Sequence, residues 1–159
     1  MQIKTLTEKS LNENWQAISR IDAVQMGDFE KWEKKHFKIA LPLKFLLSVV
    51  AFEKKRAAGY AISSKKDDVA HIHRVAVHPD YVGQGIGSKM LEGLIERARK
   101  LKIKRVEVET LRESGIATFY QKNSFRKMTK KELEKYSKNR EENLRKKTLE
   151  KSVVLYKNL

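Results

Sequence analysis

Residues 75–91 read VAVHPDYVGQGIGSKML. A strand-like run ends in a proline-containing turn, glycines stand at 83, 85 and 87, and an apolar helical stripe starts at Ile86. Glycine lets the backbone take conformations closed to residues with a Cβ, so successive amides at such a turn converge on an anion. The helix that starts there adds unpaired N–H donors and the positive end of its dipole. A phosphate or pyrophosphate is therefore the expected ligand of residues 82–88. Two other phosphate motifs fail on spacing. A P-loop requires Gly-Lys-Ser/Thr, whereas Gly87 is followed by Ser88 and Lys89 in the reverse order. A dinucleotide fingerprint requires a third glycine where Ser88 or Met90 stands.

Downstream, Ile86, Met90, Leu91, Leu94, Ile95, Ala98 and Leu101 recur at helical spacing and predict about four turns. RVEVET, Arg105 to Thr110, predicts a strand, followed by a short helix holding Ile116, Phe119 and Tyr120. Thr129 and Glu132 have capping-box spacing, and Lys130 to Glu150 lacks Gly and Pro, which predicts one long charged helix. Its sparse apolar positions leave it largely solvated or resting on a narrow edge. VVLYKNL predicts a returning strand.

Upstream, Val69 to His78 predicts a strand with His71, His73, Val75 and Val77 on one face and Ile72, Arg74 and Ala76 on the other. FLLSVVAF, Phe45 to Phe52, and GYAIS predict a hairpin across the turn EKKRAAG. Met1 to Leu6 suits a strand, Ser10 and Glu13 suit a capping box, and Leu11, Trp15, Ile18 and Ile21 or Asp22 form the stripe of the helix that follows. Asp28 is the expected cap of a second short helix carrying Phe29, Trp32 and Phe37, with both Trp15 and Trp32 in the core.

The chain has 159 residues, 35 Lys+Arg against 20 Asp+Glu, and a formal charge of +15. No internal repeat or long linker divides it, so a single domain spanning 1–159 is expected. Without cysteine it has no disulfide, no thiolate metal site and no cysteine nucleophile. The paired histidines 71 and 73 lack a third ligand, so no metal is expected. MQIKTLTEKS carries no signal-peptide core and no stretch approaches the ~20 apolar residues of a membrane span, which predicts a cytoplasmic protein without a membrane partner. The positive excess calls for an anionic partner.

The run VAVHPDYVGQGIGSKML resembles the acetyl-CoA binding motif of the GNAT superfamily of N-acetyltransferases. VVAFEKKRAAGYAIS is similar to that family's preceding hairpin, and FYQKNSF to its tyrosine-containing helix. The resemblance implies an α/β fold with a central mixed β-sheet flanked by helices, here with the basic segment of about 129–150 inserted before the last strand. It implies acetyl-CoA as cosubstrate, with the pantetheine arm between the strand ending at His78 and the one ending at Thr110. Carried over residue by residue, backbone groups of Val75, Ala76 and Val77 would hold the arm, and Val82, Gly83, Gln84, Gly85, Ile86, Gly87 and Ser88 the pyrophosphate. Val82 replaces the family's usual Arg or Gln, Glu113 a frequent Asn, and Ser124 a frequent Gly before Phe125.

The implied reaction is attack of an amine on the thioester, through a tetrahedral oxyanion. With no cysteine available, direct transfer in a ternary complex is expected. Tyr120 matches the family tyrosine that protonates the departing sulfur, and His71 stands where several members place a catalytic polar residue, with an imidazole suited to taking the ammonium proton. Glu107 and Glu109 are candidates for attracting a cationic acceptor. The favoured acceptor is a protein or peptide amine, and a second copy of the chain is a further candidate partner. The competing reading is a basic nucleic-acid-binding or interaction protein with an idle CoA site. For nucleic acid, the sequence supplies the charge but no aromatic stacking platform.

Overall fold

The computed structural model describes residues Met1–Leu159. Its centre is a seven-stranded sheet formed by β1 (Gln2–Thr5), β2 (Val49–Glu53), β3 (Arg56–Lys66), β4 (Val69–Val77), β5 (Arg105–Leu111), β6 (Arg126–Lys127) and β7 (Ser152–Asn158), in spatial order β1-β2-β3-β4-β5-β7-β6. Only β4 and β5 run parallel. That pair is also where the sheet forks. The ladder runs from Val69↔Arg105 to Ile72↔Val108 and stops, while β4 stays paired to β3 as far as Val77↔Gly59 and β5 to β7 as far as Leu111↔Ser152. A gap therefore opens between Val75–Val77 and Glu109–Leu111.

Helices cover both faces. On one, α5 (Ile86–Lys100) lays its predicted stripe down on the sheet, with Ile86, Met90, Leu91, Leu94, Ile95 and Ala98 buried and Leu101 half-buried just past its end, and α6 (Ala117–Lys122) extends this layer with Tyr120. On the other, α1 (Glu8–Glu13), α2 (Trp15–Glu30) and α3 (Lys34–Lys38) bury Leu11, Ile18, Ile21 and Phe37 against Val50, Tyr60 and Ala76. Trp15, Trp32 and Tyr60 meet Phe37 edge-on with ring centroids 5.4, 5.2 and 5.4 Å away, so both tryptophans pack against the core, though each stays half-buried at its edge. The polar interruption of the α2 stripe has a function in this layer: wholly buried Asp22 accepts from the Tyr60 hydroxyl, from Arg74 Nη1 at 2.7 Å and from the Trp32 amide at 2.5 Å.

Several local expectations are corrected. The first capping box is Thr7 with Ser10, because Thr7 is extended and its hydroxyl meets the Ser10 amide at 3.1 Å, so α1 begins at Glu8. Asp28 caps nothing. The α2 segment runs to Glu30 through a break at Gly27 (φ 76), which swings Phe29 entirely into solvent, and Glu33 caps α3. The first half of FLLSVVAF forms the short helix α4 (Lys44–Leu47), and only Val49 onward is strand. Lys44 is buried in α4 and its ammonium group donates to the carbonyls of His36, Phe37 and Ile39.

The predicted faces of β4 change partway. His73 has no partner on β3, where Ile62 pairs with Arg74 and Ser63 with Ile72, and this bulge reverses the alternation. Ile72 accordingly faces α5 together with Val75 and Val77, whereas Ala76 packs on the α2 side. The long C-terminal helix is two, α7 (Lys130–Ser137) and α8 (Glu142–Lys151), with the Thr129 and Glu132 box in place. The break brings Arg140 and Thr148 to the Glu109 carboxylate, at 2.8 and 3.3 Å. No helix is long and apolar enough to cross a membrane.

Candidate active site

The loop between β4 and α5 starts with the turn Pro79–Tyr81, whose Asp80 amide donates to His78 Nδ1 at 3.2 Å. Gly83 and Gly85 have φ of 80 and 79, the left-handed region that glycine takes without a Cβ clash, and space beside both is open. Gly87 serves packing instead. It is helical, and a Cβ there would lie 3.1 Å from the Phe119 ring, so its lack of a side chain lets α5 close on α6.

Two amides of the segment are used within the loop, Val82 to the Pro79 carbonyl at 3.3 Å and Gln84 to that of Tyr81 at 3.4 Å. The amides of Gly83, Gly85, Ile86, Gly87 and Ser88 have no acceptor in the protein. Five donors thus gather around the first turn of a fifteen-residue helix, with its positive dipole end behind them.

Beside them the fork encloses a cavity of about 180 Å³, lined mainly by apolar side chains of Val75, Val77, Val82, Ile116, Phe119 and Tyr120. Sheet register decides which backbone groups face it. The His78 amide donates to Ala58, so in the antiparallel alternation Ala76 turns its amide and carbonyl to Tyr60, while those of Val75 and Val77 point into the gap. The Val77 carbonyl already accepts from the Gln25 side-chain amide at 2.7 Å, a link from α2 across the mouth of the fork.

Tyr120 is buried between Phe119 and Phe125, with ring centroids 5.0 and 5.4 Å away. Its hydroxyl has no partner in the protein yet is not sealed off, so it opens on the cavity. Burial raises its pKa, keeping the phenol protonated.

His71 is not in that cavity. It lies on the opposite face, opposite Glu107 in the β4–β5 register, one residue before the fork opens. There it borders two clefts. One, about 610 Å³, includes Leu41, Pro42, Ser64 and His73; the other, about 450 Å³, includes Lys66, Glu107, Tyr136 and Arg140. Burial lowers the His71 pKa, the Glu109 charge only partly opposing it. Part of the His73 ring meets solvent, but desolvation of the rest, with repulsion from His71 and Lys44, brings it down to about 4; its Nε2 lies 2.6 Å from Ser64 Oγ. Burial raises the Glu107 carboxyl against the pull of Arg105.

Glu109 is not available to an acceptor. Burial pushes its carboxyl up, but hydrogen bonds and charge from Arg140, with further bonds from Ser152 and Tyr136, hold it below the usual carboxylate range. Sequence reading missed this latch and the Gln25 contact, since one exposed glutamine on a helix and one arginine among nine basic residues of 129–151 carry no spacing signal. Asp22 within an apolar stripe was the one visible sign of a buried polar centre.

A forked mixed sheet, with free amides at the head of the helix beside the fork, has the donors and the open strand edge that suit an extended ligand ending in phosphates. The sequence model of the Acetyltransferase (GNAT) family matches residues 10–125. The chain belongs to the GNAT acetyltransferase family and is an acetyltransferase. A curated relative from Porphyra purpurea, the uncharacterized N-acetyltransferase ycf52, is 26% identical over 119 residues, covering 70% of this chain and 67% of that protein. Among solved structures, the ribosomal-protein-S18-alanine N-acetyltransferase of Escherichia coli superposes with TM-score 0.71 at 20% identity, covering 99% of this chain and 92% of that one. Ard1 from Thermoplasma volcanium gives 0.73 at 14%, covering 99% and 97%. A Bacillus subtilis acetyltransferase solved with CoA gives 0.67 at 22%, covering 99% and 98%. These likenesses show the fold.

Proposed function

We propose that the protein transfers the acetyl group of acetyl-CoA directly to a primary amine of a protein or peptide within a ternary complex. The observation that carries this reading is the set of five free amides, Gly83 and Gly85 to Ser88, adjoining the fork cavity. In this reading those amides bind the pyrophosphate. The gap-facing groups of Val75 and Val77 pair with the pantetheine arm as a further strand would, which brings the thioester between β4 and β5. The acceptor enters from the opposite face, through the clefts that His71 borders.

The chemistry divides across the sheet. An ammonium group cannot attack a carbonyl, and His71, neutral because burial lowers its pKa, receives its proton. The amine lone pair then forms the C–N bond while the thioester π electrons move onto oxygen. Collapse of this oxyanion breaks the C–S bond, Tyr120 gives its proton to the departing sulfur, and the proton that the new amide nitrogen sheds restores the phenol. Burial thus keeps the phenol a proton donor in the range where the amine becomes free. Support for a protein acceptor comes from neighbours such as the E. coli enzyme, whose substrate is ribosomal protein S18.

The test is thiol release from acetyl-CoA with peptides carrying either a free α-amine or only a lysine amine. Tyr120→Phe should lower turnover by about 10²-fold or more with acetyl-CoA affinity unchanged. Equal turnover in variant and parent removes Tyr120 from proton transfer.

A further inference from the structure

A further cleft lies outside this site. It has a volume of about 770 Å³ and is bordered by Arg20, Lys34, Lys55 and Arg56, with Trp15 and Tyr81 among its walls. Arg20, Lys55 and Arg56 are exposed and have neither an ion-pair partner nor a side-chain hydrogen bond. Of the two acids of the wall, Glu13 lies 3.9 Å from Lys9, and Asp80 lies 3.8 Å from His78, which borders the cleft as well. Lys55 and its neighbour Lys54 form the β2–β3 turn at φ of 66 and 46, where Asn and Gly are the favoured residues. Lysines thus stand in a turn whose geometry selects against them. The fourth cation, Lys34, lies 5.9 Å from the Trp15 ring centroid.

The aromatic wall is the second observation. Neither the Trp15 indole N–H nor the Tyr81 hydroxyl has a hydrogen-bond partner in the protein, and neither is sealed from solvent. A polar cleft that combines unpaired cations with half-buried rings matches the requirements of an unpaired nucleic-acid strand: cations for successive phosphates and ring surfaces for bases. A duplex keeps its bases stacked on one another and would use only the cations.

We propose that this cleft, formed by α1, α2, the β2–β3 turn and the Pro79–Tyr81 turn, binds single-stranded nucleic acid. Arg20, Lys55 and Arg56 contact the backbone phosphates, and Trp15 and Tyr81 receive a base. The site is separate from the free amides of α5 and does not depend on the catalytic reading.

The test titrates the full chain into a fluorescein-labelled 12-nucleotide single-stranded RNA, by anisotropy at several salt concentrations. The general charge of +15 is the competing explanation. Two triple variants with the same loss of charge separate the two: Arg20→Gln with Lys55→Gln and Arg56→Gln in the cleft, and Lys130→Gln with Lys131→Gln and Lys147→Gln on α7 and α8, all six exposed. The cleft triple should weaken binding at least tenfold and flatten the slope of log affinity against log salt by about two, given roughly 0.7 per phosphate contact on a single strand. The α7–α8 triple should leave both nearly unchanged, and a duplex of equal length should bind more weakly. Equal losses in the two triples, equal affinity for duplex and single strand, displacement of the RNA by acetyl-CoA, or no binding by the parent chain would each overturn the proposal.

Discussion

Ser124 has φ 67, the left-handed conformation, just before buried Phe125, whose amide bonds back to the Tyr120 carbonyl. This is where the family often has glycine, and a Cβ there costs about 1 to 2 kcal/mol. Ser124→Gly should therefore raise stability by about 0.5 to 1 kcal/mol in denaturant unfolding, less than the full steric cost because glycine also loosens the unfolded chain. A fall in the unfolding midpoint would show that the serine hydroxyl contributes more than its backbone costs. Gln25 is the second single-residue test. Its amide occupies the Val77 carbonyl that an extended ligand would use, and a hydrogen bond of that kind contributes about 0.5 to 1.5 kcal/mol. Gln25→Ala should tighten acetyl-CoA binding by roughly two- to tenfold, read by calorimetry. Weaker binding would mean that Gln25 assists the ligand instead of competing with it.

At the scale of elements, α7 and α8 are held on β5 through a polar contact. Arg140 bonds to Glu109, Tyr136 and Thr148 at 2.8, 2.8 and 2.7 Å, and its guanidinium stacks 4.6 Å from the Tyr136 ring centroid. Arg140→Met should cost about 1 to 3 kcal/mol near neutral pH, since it leaves the half-buried carboxylate without its cation. The Glu109 carboxyl is depressed in the fold, so the folded chain holds fewer protons than the unfolded one between the two pKa values. The pair's contribution is thus complete above about 4.3 and disappears as pH falls through the lower folded value. Parent and variant should approach equal stability at that acid limit. A gap that persists there would assign the loss to packing of the arginine stem.

These elements also show why sequence stops where it does. The stripe from Ile86 to Ala98 is read directly, because repeated apolar positions and a glycine-marked start specify α5 twice over. The β4 bulge at His73 is illegible, since one unpaired residue depends on the register of β3 and leaves no mark in the residue pattern of β4 itself. The split between α7 and α8 is hidden for the same reason: it follows from a carboxylate on another strand. In the candidate site, the glycines stood out by local spacing and Tyr120 only through the family resemblance, whereas the sidedness of Val75 and Val77 required the sheet.

Across the whole molecule, the fork separates two approaches. In the proposed mechanism phosphates meet the amides of α5 and an acceptor meets the clefts at His71 and Glu107, so each ligand would have its own entrance and the reacting atoms would meet in the gap of the sheet. This arrangement is the central claim, and it rests on residues 83–88 binding the diphosphate of acetyl-CoA. The most direct measurement is thermal unfolding of the parent chain and of Gly85→Asp, with and without acetyl-CoA. At a concentration a hundredfold above its dissociation constant the ligand should stabilise the parent by about 2.7 kcal/mol, which for a chain of this size is a rise of roughly 6 to 10 °C. Gly85→Asp puts a carboxylate beside the free amides, at a φ that aspartate tolerates better than most residues, and should melt cooperatively without responding to the ligand. An equal rise in both proteins, or none in the parent, would contradict the account.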